Sequence, residues 1–281
     1  MKFTSAEGRD RYAALAAVAS SVVVATDFDG TLAPIVDDPT KARIHPDAAE
    51  VLTELAPYVA AIAVVTGRPA RQVLALGGLE EVGDSIAAVG KELYVFGQYG
   101  NERWTSSQRK IRGPMPPPGL AAFLRDLPKV LRRVDAADAY VEDKGLAIAV
   151  HTRRMADPQA AFDRLLPVLS TVAPGYDLVV EPGRNVIEVR AGGMDKGIVI
   201  DRLVDEVEAG GILFAGDDLG DVDAFESVTA WGKDGLATLL VYSASSEESA
   251  LAPLADVVVP GPGGVLDLLR QFAADASRIS D

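Results

Sequence analysis

The sequence predicts an α/β fold with a doubly wound, Rossmann-like parallel sheet and a smaller α+β unit inserted into it. In the first hundred residues, strand-like apolar runs such as 22–26 and 61–66 alternate with helix-like segments. The same alternation resumes after residue 190, with apolar runs at 212–215, 238–242 and 256–259. Between these regions the order changes to single helices, each followed by two strands, and short turns join such strands in antiparallel sheets.

Within the first region, residues 12–25 predict a helix that runs into the first core strand. Pro46 can open the next helix, because proline is tolerated in a first helical turn. A further helix is expected after Pro69, and the apolar run at 85–89 is interpreted as a strand.

The region 105–119 contains two serines, three basic residues and three consecutive prolines, a composition typical of a stiff linker. Beyond it the pattern predicts helices at 119–134 and 158–172, and strands at 139–142, 146–152, 177–181 and 185–190. We therefore expect a core domain of residues 1–109 and 191–281, and an inserted domain of residues 110–190.

Composition excludes several classes of function. The 281 residues carry a formal net charge of -14, which disfavours nucleic acid or an anionic membrane as a partner. There are no cysteines and only two histidines, so any metal should be bound by oxygen. No apolar run is long enough to span a bilayer. Residues 12–25 could be mistaken for a signal peptide, but Glu7 and Asp10 stand in the supposed basic region and cleavage would remove the support of the strand that carries Asp27, so a cytoplasmic location is expected.

Four short motifs carry the chemistry: DFDGT at 27–31, TGR at 66–68, DKG at 195–197 and GDDLGD at 216–221. The first, second and fourth follow apolar strands, and ligands of open α/β sheets bind at the carboxyl ends of the strands. Asp27 is the expected nucleophile, since a carboxylate can attack phosphorus. Asp29, two residues later, is the expected acid/base.

The acidic cluster of Asp217, Asp218 and Asp221 would repel Asp27 unless a cation were bound. An oxygen-only ligand set describes Mg²⁺ better than Zn²⁺ or Ca²⁺. Thr66 is expected to hold a phosphoryl oxygen. Lys196 stands in the first turn of a predicted helix, where the helix dipole disfavours a cation, and a bound phosphate would account for it.

These motifs resemble those of the haloacid dehalogenase superfamily of phosphohydrolases, and the aspartate pair resembles its phosphatases. The segments 27–35, 141–153, 181–197 and 216–226 are similar to the trehalose-6-phosphate phosphatase family, in which the inserted domain is a mobile cap. The resemblance implies a phosphoric monoester hydrolase that forms an aspartyl phosphate on Asp27. It also implies Mg²⁺ held by Asp27, the Asp29 carbonyl and Asp217, with Asp218 and Asp221 in support.

In the cap, the family's sugar-contacting pattern falls on Glu142, Lys144, Arg153, Arg184 and Glu188. Arg68 and Glu102 complete the expected substrate-binding set. Many members carry His-Gly where this chain has Tyr99 and Gly100.

The leading hypothesis is hydrolysis of trehalose 6-phosphate, a step of trehalose biosynthesis, with a small sugar phosphate as the only partner and no obligate protein partner. A phosphatase for a related disaccharide or pseudodisaccharide phosphate, such as validoxylamine A 7′-phosphate, would use the same core motifs. A silent sugar-phosphate sensor is disfavoured because all four motifs are intact. A phosphomutase would need a phosphorylated activator and release no free phosphate.

Overall fold

The computed structural model describes residues 2–36, 38–183, 185–244 and 251–280. Its strands are, in chain order, β1 (Lys2–Phe3), β2 (Val22–Thr26), β3 (Ala61–Val65), β4 (Glu92–Gly97), β5 (Glu102–Thr105), β6 (Tyr140–Asp143), β7 (Ala147–His151), β8 (Val179–Gly183), β9 (Val186–Arg190), β10 (Gly211–Gly216), β11 (Ala237–Ala244) and β12 (Val257–Pro260). The α-helices are α1 (Ala6–Ala17), α2 (Ala48–Leu55), α3 (Ala70–Gly77), α4 (Leu79–Ala88), α5 (Pro118–Arg133), α6 (Pro158–Val172), α7 (Lys196–Val207), α8 (Val222–Lys233) and α9 (Gly261–Ser280).

The chain divides into two compact units. The first comprises Met1–Arg112 and Asp195–Asp281, and the second comprises Gly113–Met194.

The first unit is built on a sheet with the strand order β1-β12-β11-β10-β2-β3-β4-β5. The strands from β12 to β4 pair in parallel, and β1 and β5 add antiparallel edges. Strands β2, β3 and β10 are buried throughout, which explains why they appear in the sequence as unbroken apolar runs.

Helices cover both faces of this sheet. Leu213 and Ala215 of β10 join the core cluster that includes buried residues of α1, α2 and α9. The residue between them, Phe214, points to the other face and packs edge-on against Phe225 of α8, with ring centroids 5.9 Å apart. The doubly wound α/β class predicted from the sequence is therefore confirmed.

The second unit is a four-stranded antiparallel sheet in the order β6-β7-β9-β8, with α5 and α6 on one face. Ile148, Val150, Ile187 and Val189 pack into the core beneath the helices. Ala149 of β7 and Glu188 of β9 alternate with these residues and lie on the opposite face, together with Glu142 of β6, which pairs with Ala149.

The expectation of a strand at 85–89 is wrong. Residues up to Ala88 belong to α4, and the next strand begins at Glu92. The buried residues of α4, which include Leu79, Val82 and Ile86, recur at helical spacing, and the apolar run at 85–89 is the end of that helical stripe. In the part of the chain that the structure describes, no helix is long and apolar enough to cross a membrane.

Candidate active site

The motifs DFDGT, TGR and GDDLGD meet at the carboxyl ends of neighbouring strands in the large sheet. They follow β2, β3 and β10, and these three strands are neighbours because β2 pairs with β3 on one side and with β10 on the other. After β2 the chain adds β3 and β4 on one side of β2, and later adds β10, β11 and β12 on the other side. The carboxyl end of β2 is therefore a topological switch point, the place where ligands of open sheets bind.

The DFDGT loop is fixed to the neighbouring strand and turned sharply by its glycine. The backbone N–H of Asp27 donates to the Ala215 carbonyl of β10 at 2.8 Å, and that of Gly30 donates to the Ala33 carbonyl at 2.7 Å. Gly30 has φ +70°, and a Cβ at this position would collide with the carboxylate of Asp217. Glycine is therefore required both by the left-handed turn and by the approach of Asp217.

Three buried carboxylates converge beside this loop. One oxygen each from Asp27, Asp217 and Asp221 lies within 4.8 Å of the others. Asp27 is 5% exposed, Asp217 7% and Asp221 0%, so water does little to screen their repulsion.

Lys196 supplies the positive charge within this cluster. Its Nζ lies 2.8 Å from Asp27 Oδ1 and 2.7 Å from Asp221 Oδ1. The backbone that carries it is set by Asp195, whose Oδ1 caps α7 by accepting from the N–H of Ile198 at 2.8 Å. Burial lowers the pKa of Lys196, but Asp221 and Asp27 outweigh it and raise that pKa well above its ordinary value.

Asp221 and Asp218 organise the loop after β10. Asp221 Oδ2 accepts from the backbone N–H of Asp217 at 2.9 Å and of Asp218 at 3.4 Å. Asp218 Oδ1 accepts from Gly220 N–H at 2.8 Å, which completes a capping box at residues 218–221. The described residues thus place Asp217 in the three-carboxylate cluster with Asp221, whereas Asp218 serves the start of the short helix.

The electrostatics favour a bound cation. Burial, followed by the charges of Asp27 and Asp218, raises the pKa of Asp217 to about 10. Burial also raises the pKa of Asp27 well above its ordinary value, against the lowering effect of Lys196. One ammonium group is therefore not enough positive charge for the cluster.

The donor set fits a hard divalent cation. Every side-chain ligand atom in the cluster is a carboxylate oxygen, and Gly30 leaves the space that the Asp217 carboxylate occupies. Oxygen-only ligation with room for water and a phosphate oxygen is the preference of Mg²⁺. The buried aspartate cluster could thus bind a metal ion.

The TGR loop after β3 is held by a second loop at residues 98–100. The N–H of Thr66 donates to the Phe96 carbonyl at 2.9 Å, so only its hydroxyl remains to donate to a phosphate. Tyr99 donates its N–H to the Thr66 carbonyl at 3.0 Å from a left-handed backbone with φ 57°. Its ring packs on Gly67, where a Cβ would lie 2.8 Å from the Tyr99 hydroxyl.

Two further residues of the expected substrate-binding set have protein partners near this loop. Arg68 donates to both carboxylate oxygens of Asp29, from Nε at 2.5 Å and from Nη2 at 2.8 Å. Glu102 Oε2 accepts from the N–H of Ala70 at 2.6 Å, at the N-terminus of α3. A carboxylate is favourable there because the helix dipole is positive at that end.

The expected sugar-contacting residues lie in the second unit, on the sheet face opposite α5 and α6 or in its turns. Lys144 donates to Glu188 Oε1, while Glu188 Oε2 is buried and accepts no hydrogen bond from any described residue. Glu142 Oε2 lies 2.9 Å from His151 Nε2. Arg153 is exposed in the turn after β7. Arg184 lies outside the described residues.

Sequence reasoning missed two groups beside these sites. Ser243, at the carboxyl end of β11, donates from Oγ to the Gly30 carbonyl at 2.6 Å. Arg190 is 5% exposed at the end of β9 and pairs with Glu181 at 2.9 Å. The usable signal for Ser243 was a polar residue at the end of an apolar run, as in the other strands that carry motifs.

Comparison with known proteins finds a matching family and curated relatives. The family described as Trehalose-phosphatase matches residues 25–258. A probable trehalose-phosphate phosphatase of Oryza sativa subsp. japonica is 30% identical over 305 residues, covering 98% of this chain and 76% of the relative. The trehalose-phosphate phosphatase of Mycobacterium marinum is 30% identical over 268 residues, covering 90% of this chain and 62% of the relative.

A longer protein also matches. An uncharacterized glycosyl hydrolase of Mycobacterium tuberculosis is 32% identical over 217 residues, which are 73% of this chain but only 15% of that protein. This chain therefore corresponds to a small part of that relative.

Solved structures share the fold. The C-terminal domain of a C. albicans trehalose-6-phosphate phosphatase has a TM-score of 0.72 at 22% identity, covering 95% of this chain and 96% of that one. A trehalose-6-phosphate phosphatase related protein has a TM-score of 0.65 at 19% identity, covering 91% of this chain and 99% of that one. The family match extends from the end of β2 to β12 and so includes the ends of β2, β3 and β10, where the three motifs stand, and on this match the chain belongs to the trehalose-phosphatase family.

Proposed function

We propose that this chain hydrolyses trehalose 6-phosphate to trehalose and phosphate, with Mg²⁺ as cofactor and an aspartyl phosphate on Asp27 as intermediate. One observation carries the proposal: Asp27 lies in a buried cluster with Asp217 and Asp221, with the Lys196 ammonium 2.8 Å from its Oδ1. Membership of the trehalose-phosphatase family supports the substrate.

In the first half-reaction, a carboxylate oxygen of Asp27 attacks phosphorus. The new bond joins that oxygen to phosphorus, and the bond between phosphorus and the sugar oxygen breaks with its electron pair going to the sugar oxygen. Asp29 gives a proton to that oxygen, because an alkoxide is a poor leaving group. Lys196 stabilises Asp27 in its ionised, nucleophilic form.

In the second half-reaction, Asp29 takes a proton from water while the water oxygen attacks phosphorus. The bond between phosphorus and Asp27 breaks, and its electron pair restores the Asp27 carboxylate. Asp29 thus regains the proton that it gave to the sugar, and the cycle balances.

Charge on the transferred group has three further partners. The Thr66 hydroxyl donates to a phosphoryl oxygen, and the Lys196 ammonium neutralises part of its charge. Asp27 and Asp217, with the Asp29 carbonyl, would hold Mg²⁺, with Asp218 and Asp221 in support. When bound, the ion supplies the positive charge that allows an anionic substrate to enter an acidic site.

The second unit is proposed to select the sugar as a cap. Its Lys144–Glu188 pair and its Glu142–His151 contact lie among polar groups on or beside one sheet. The second oxygen of Glu188 is buried and has no hydrogen-bond donor among the described residues, and a sugar hydroxyl would supply one. Arg153 is proposed to contact the sugar as well, and so, on the family resemblance alone, is Arg184, which lies outside the described residues. Glu102 is the substrate-binding residue proposed in the core.

The core domain is proposed to span residues 1–109 and 191–281, and the cap residues 110–190. The substrate is a small sugar phosphate, and we propose a cytoplasmic role in trehalose biosynthesis without an obligate protein partner.

The test is phosphate release from a panel of sugar phosphates with Mg²⁺ present. The panel should include trehalose 6-phosphate, sucrose 6-phosphate, glucose 6-phosphate, validoxylamine A 7′-phosphate and p-nitrophenyl phosphate. We expect the highest kcat/KM on trehalose 6-phosphate. Preference for another disaccharide phosphate would refute the substrate while leaving the chemistry, and no phosphate release from any compound would refute the phosphatase.

A further inference from the structure

Arg68 makes two parallel hydrogen bonds, called the fork below, to the carboxylate of Asp29, the proposed acid/base. Its Nε donates to Asp29 Oδ2 at 2.5 Å and its Nη2 donates to Asp29 Oδ1 at 2.8 Å. Two parallel charge-assisted hydrogen bonds fix the plane of a carboxylate as well as its position. The fork therefore determines where the oxygens of Asp29 point.

The guanidinium is itself fixed at its far side. Nη1 of Arg68 donates to the carbonyl of Pro39 at 2.8 Å. The side chain of Arg68 is 11% exposed, whereas that of Asp29 is 35% exposed. The arginine is thus largely shielded from solvent, whereas the carboxylate remains accessible to a substrate or to water.

The backbone of Arg68 is also held. Its N–H donates to Thr66 Oγ1 at 3.2 Å, and its carbonyl accepts from Gln98 N–H at 2.8 Å. Proline follows at position 69, which restricts the backbone of Arg68 to extended conformations. Both ends of the side chain are therefore anchored within the first unit.

The two hydrogen bonds use one lone pair on each oxygen of Asp29. They therefore set the direction of the lone pairs that remain on the carboxylate. In the proposed second half-reaction, one of these remaining lone pairs takes the proton of the attacking water. The lone pairs that face Arg68 are not used in this transfer, so the fork can hold the carboxyl group in place during it.

We propose that Arg68 is a positioning residue, which orients Asp29 for proton transfer from water during hydrolysis of the aspartyl phosphate. This inference rests on the proposed function. It assigns Arg68 an action through Asp29, in contrast to direct contact with the sugar phosphate.

The experiment is a double-mutant cycle of Arg68→Met and Asp29→Asn with p-nitrophenyl phosphate as substrate. Its leaving group departs without a proton, so formation and hydrolysis of the phosphoenzyme can be separated by rapid quench. In Arg68→Met we expect the p-nitrophenolate burst to keep its rate within about threefold, and hydrolysis of the phosphoenzyme to slow by at least about tenfold. In the Asp29→Asn background the same substitution should change hydrolysis by less than about twofold, because its target is gone.

Arg68→Lys tests the fork itself. Lysine keeps the charge but cannot form two parallel hydrogen bonds to one carboxylate, so it should not restore hydrolysis. Arg270→Met is the matched control, since Arg270 pairs with Asp47 at 3.1 Å on the surface and should leave both half-reactions unchanged.

Several outcomes would overturn the proposal. Full rescue by lysine would show that charge, and not orientation, is what matters. A raised KM for trehalose 6-phosphate with unchanged phosphoenzyme hydrolysis, or an equal loss in the Asp29→Asn background, would show that Arg68 binds substrate. If Arg68→Met fails to fold, as seen by circular dichroism, Arg68→Gln replaces it and the same cycle decides. Absence of a phosphoenzyme in the wild type would refute the proposed mechanism before any variant is compared.

Discussion

The hydroxyl of Ser243 donates to the carbonyl of Gly30 at 2.6 Å and so joins the end of β11 to the turn that carries the proposed nucleophile and acid/base. Ser243 is completely buried. The contact lets a residue two strands away from β2 fix the peptide that joins Gly30 to Thr31.

Replacing Ser243 by alanine would leave the buried Gly30 carbonyl without this donor. We expect the free energy of unfolding to fall by about 1–3 kcal/mol, the cost of an unsatisfied buried polar group. Urea denaturation of wild type and variant measures this difference in the free energy of unfolding.

Ser277→Ala is the control, because the Ser277 hydroxyl donates to the Ala274 carbonyl in an exposed hydrogen bond of α9, and its loss should cost under about 0.5 kcal/mol. Equal losses of unfolding free energy in the two variants would mean that the bond to Gly30 stabilises the fold no more than the exposed bond of Ser277 does.

Asp27→Asn should abolish turnover while preserving the fold, because an amide has nearly the shape of a carboxylate but does not attack phosphorus. Lys196 keeps its partner Asp221 at 2.7 Å, so the variant should remain folded. The measurement is phosphate release per enzyme, with circular dichroism as the check on folding. Activity above a few per cent of wild type would remove the covalent mechanism.

The positions of the motifs were predictable from the sequence, but their partners were not. A buried strand appears as an unbroken apolar run, so the polar residues after β2, β3 and β10 could be assigned to one edge of the sheet. The contact of Ser243 with Gly30 depends on the strand order, in which β10 separates β11 from β2. No pattern within either segment encodes that order.

The same limit applies to Arg68 and to residues 85–89. Arg68 stands in a motif, but its contact with Asp29 spans 39 positions of sequence and is decided by the pairing of β2 with β3. The apolar run at 85–89 could be a strand or the end of a helix, since short apolar runs do not distinguish the two. The roles assigned to the site residues remain predictions.

Removal of divalent metal with EDTA should abolish activity, and Mg²⁺ should restore it. A readout independent of turnover is the thermal midpoint, which should rise with Mg²⁺ because an ion that binds the folded state relieves repulsion among Asp27, Asp217 and Asp221.

Asp217→Asn is the matched variant for this effect. It removes one proposed ligand and one charge, so the metal-free protein should be at least as stable as wild type, while the gain in midpoint with Mg²⁺ should shrink. An equal gain in both proteins would place the ion elsewhere, and full activity after thorough metal removal would contradict metal dependence.

Asp256 should make stability depend on pH. Burial raises the pKa of this carboxyl, although the Leu240 N–H and Arg11 partly oppose it. A raised pKa means that the folded state holds the proton more tightly than the unfolded chain. Its contribution to stability is therefore present below the ordinary value of 3.8 and is lost as pH rises through the folded pKa.

Asp256→Asn has no proton to lose and can still accept from Leu240 N–H. The difference in unfolding free energy between variant and wild type should thus shift in favour of the variant as pH rises from about 4 to about 7. Urea denaturation across this range measures the shift, and a difference that is constant or of opposite sign would contradict the assignment.

Glu188→Gln tests whether the second unit selects the substrate. Glu188 is 5% exposed, with one oxygen on Lys144 and the other without a hydrogen bond from the described residues. Glutamine keeps the shape, but it replaces one carboxylate oxygen by a donor, so a sugar hydroxyl that donates to Glu188 loses its acceptor. A site built to pair hydroxyls discriminates strongly when such a partner is lost.

We expect kcat/KM for trehalose 6-phosphate to fall by at least about tenfold, equivalent to about 1.4 kcal/mol, with p-nitrophenyl phosphate hydrolysis nearly unchanged. Glu142→Ala should show the same split. Asp163→Ala, a change at an exposed position of α6, should alter the hydrolysis of neither substrate. Equal losses on both substrates would show that Glu188 supports folding, and the proposed role of the second unit in choosing the sugar would then be wrong.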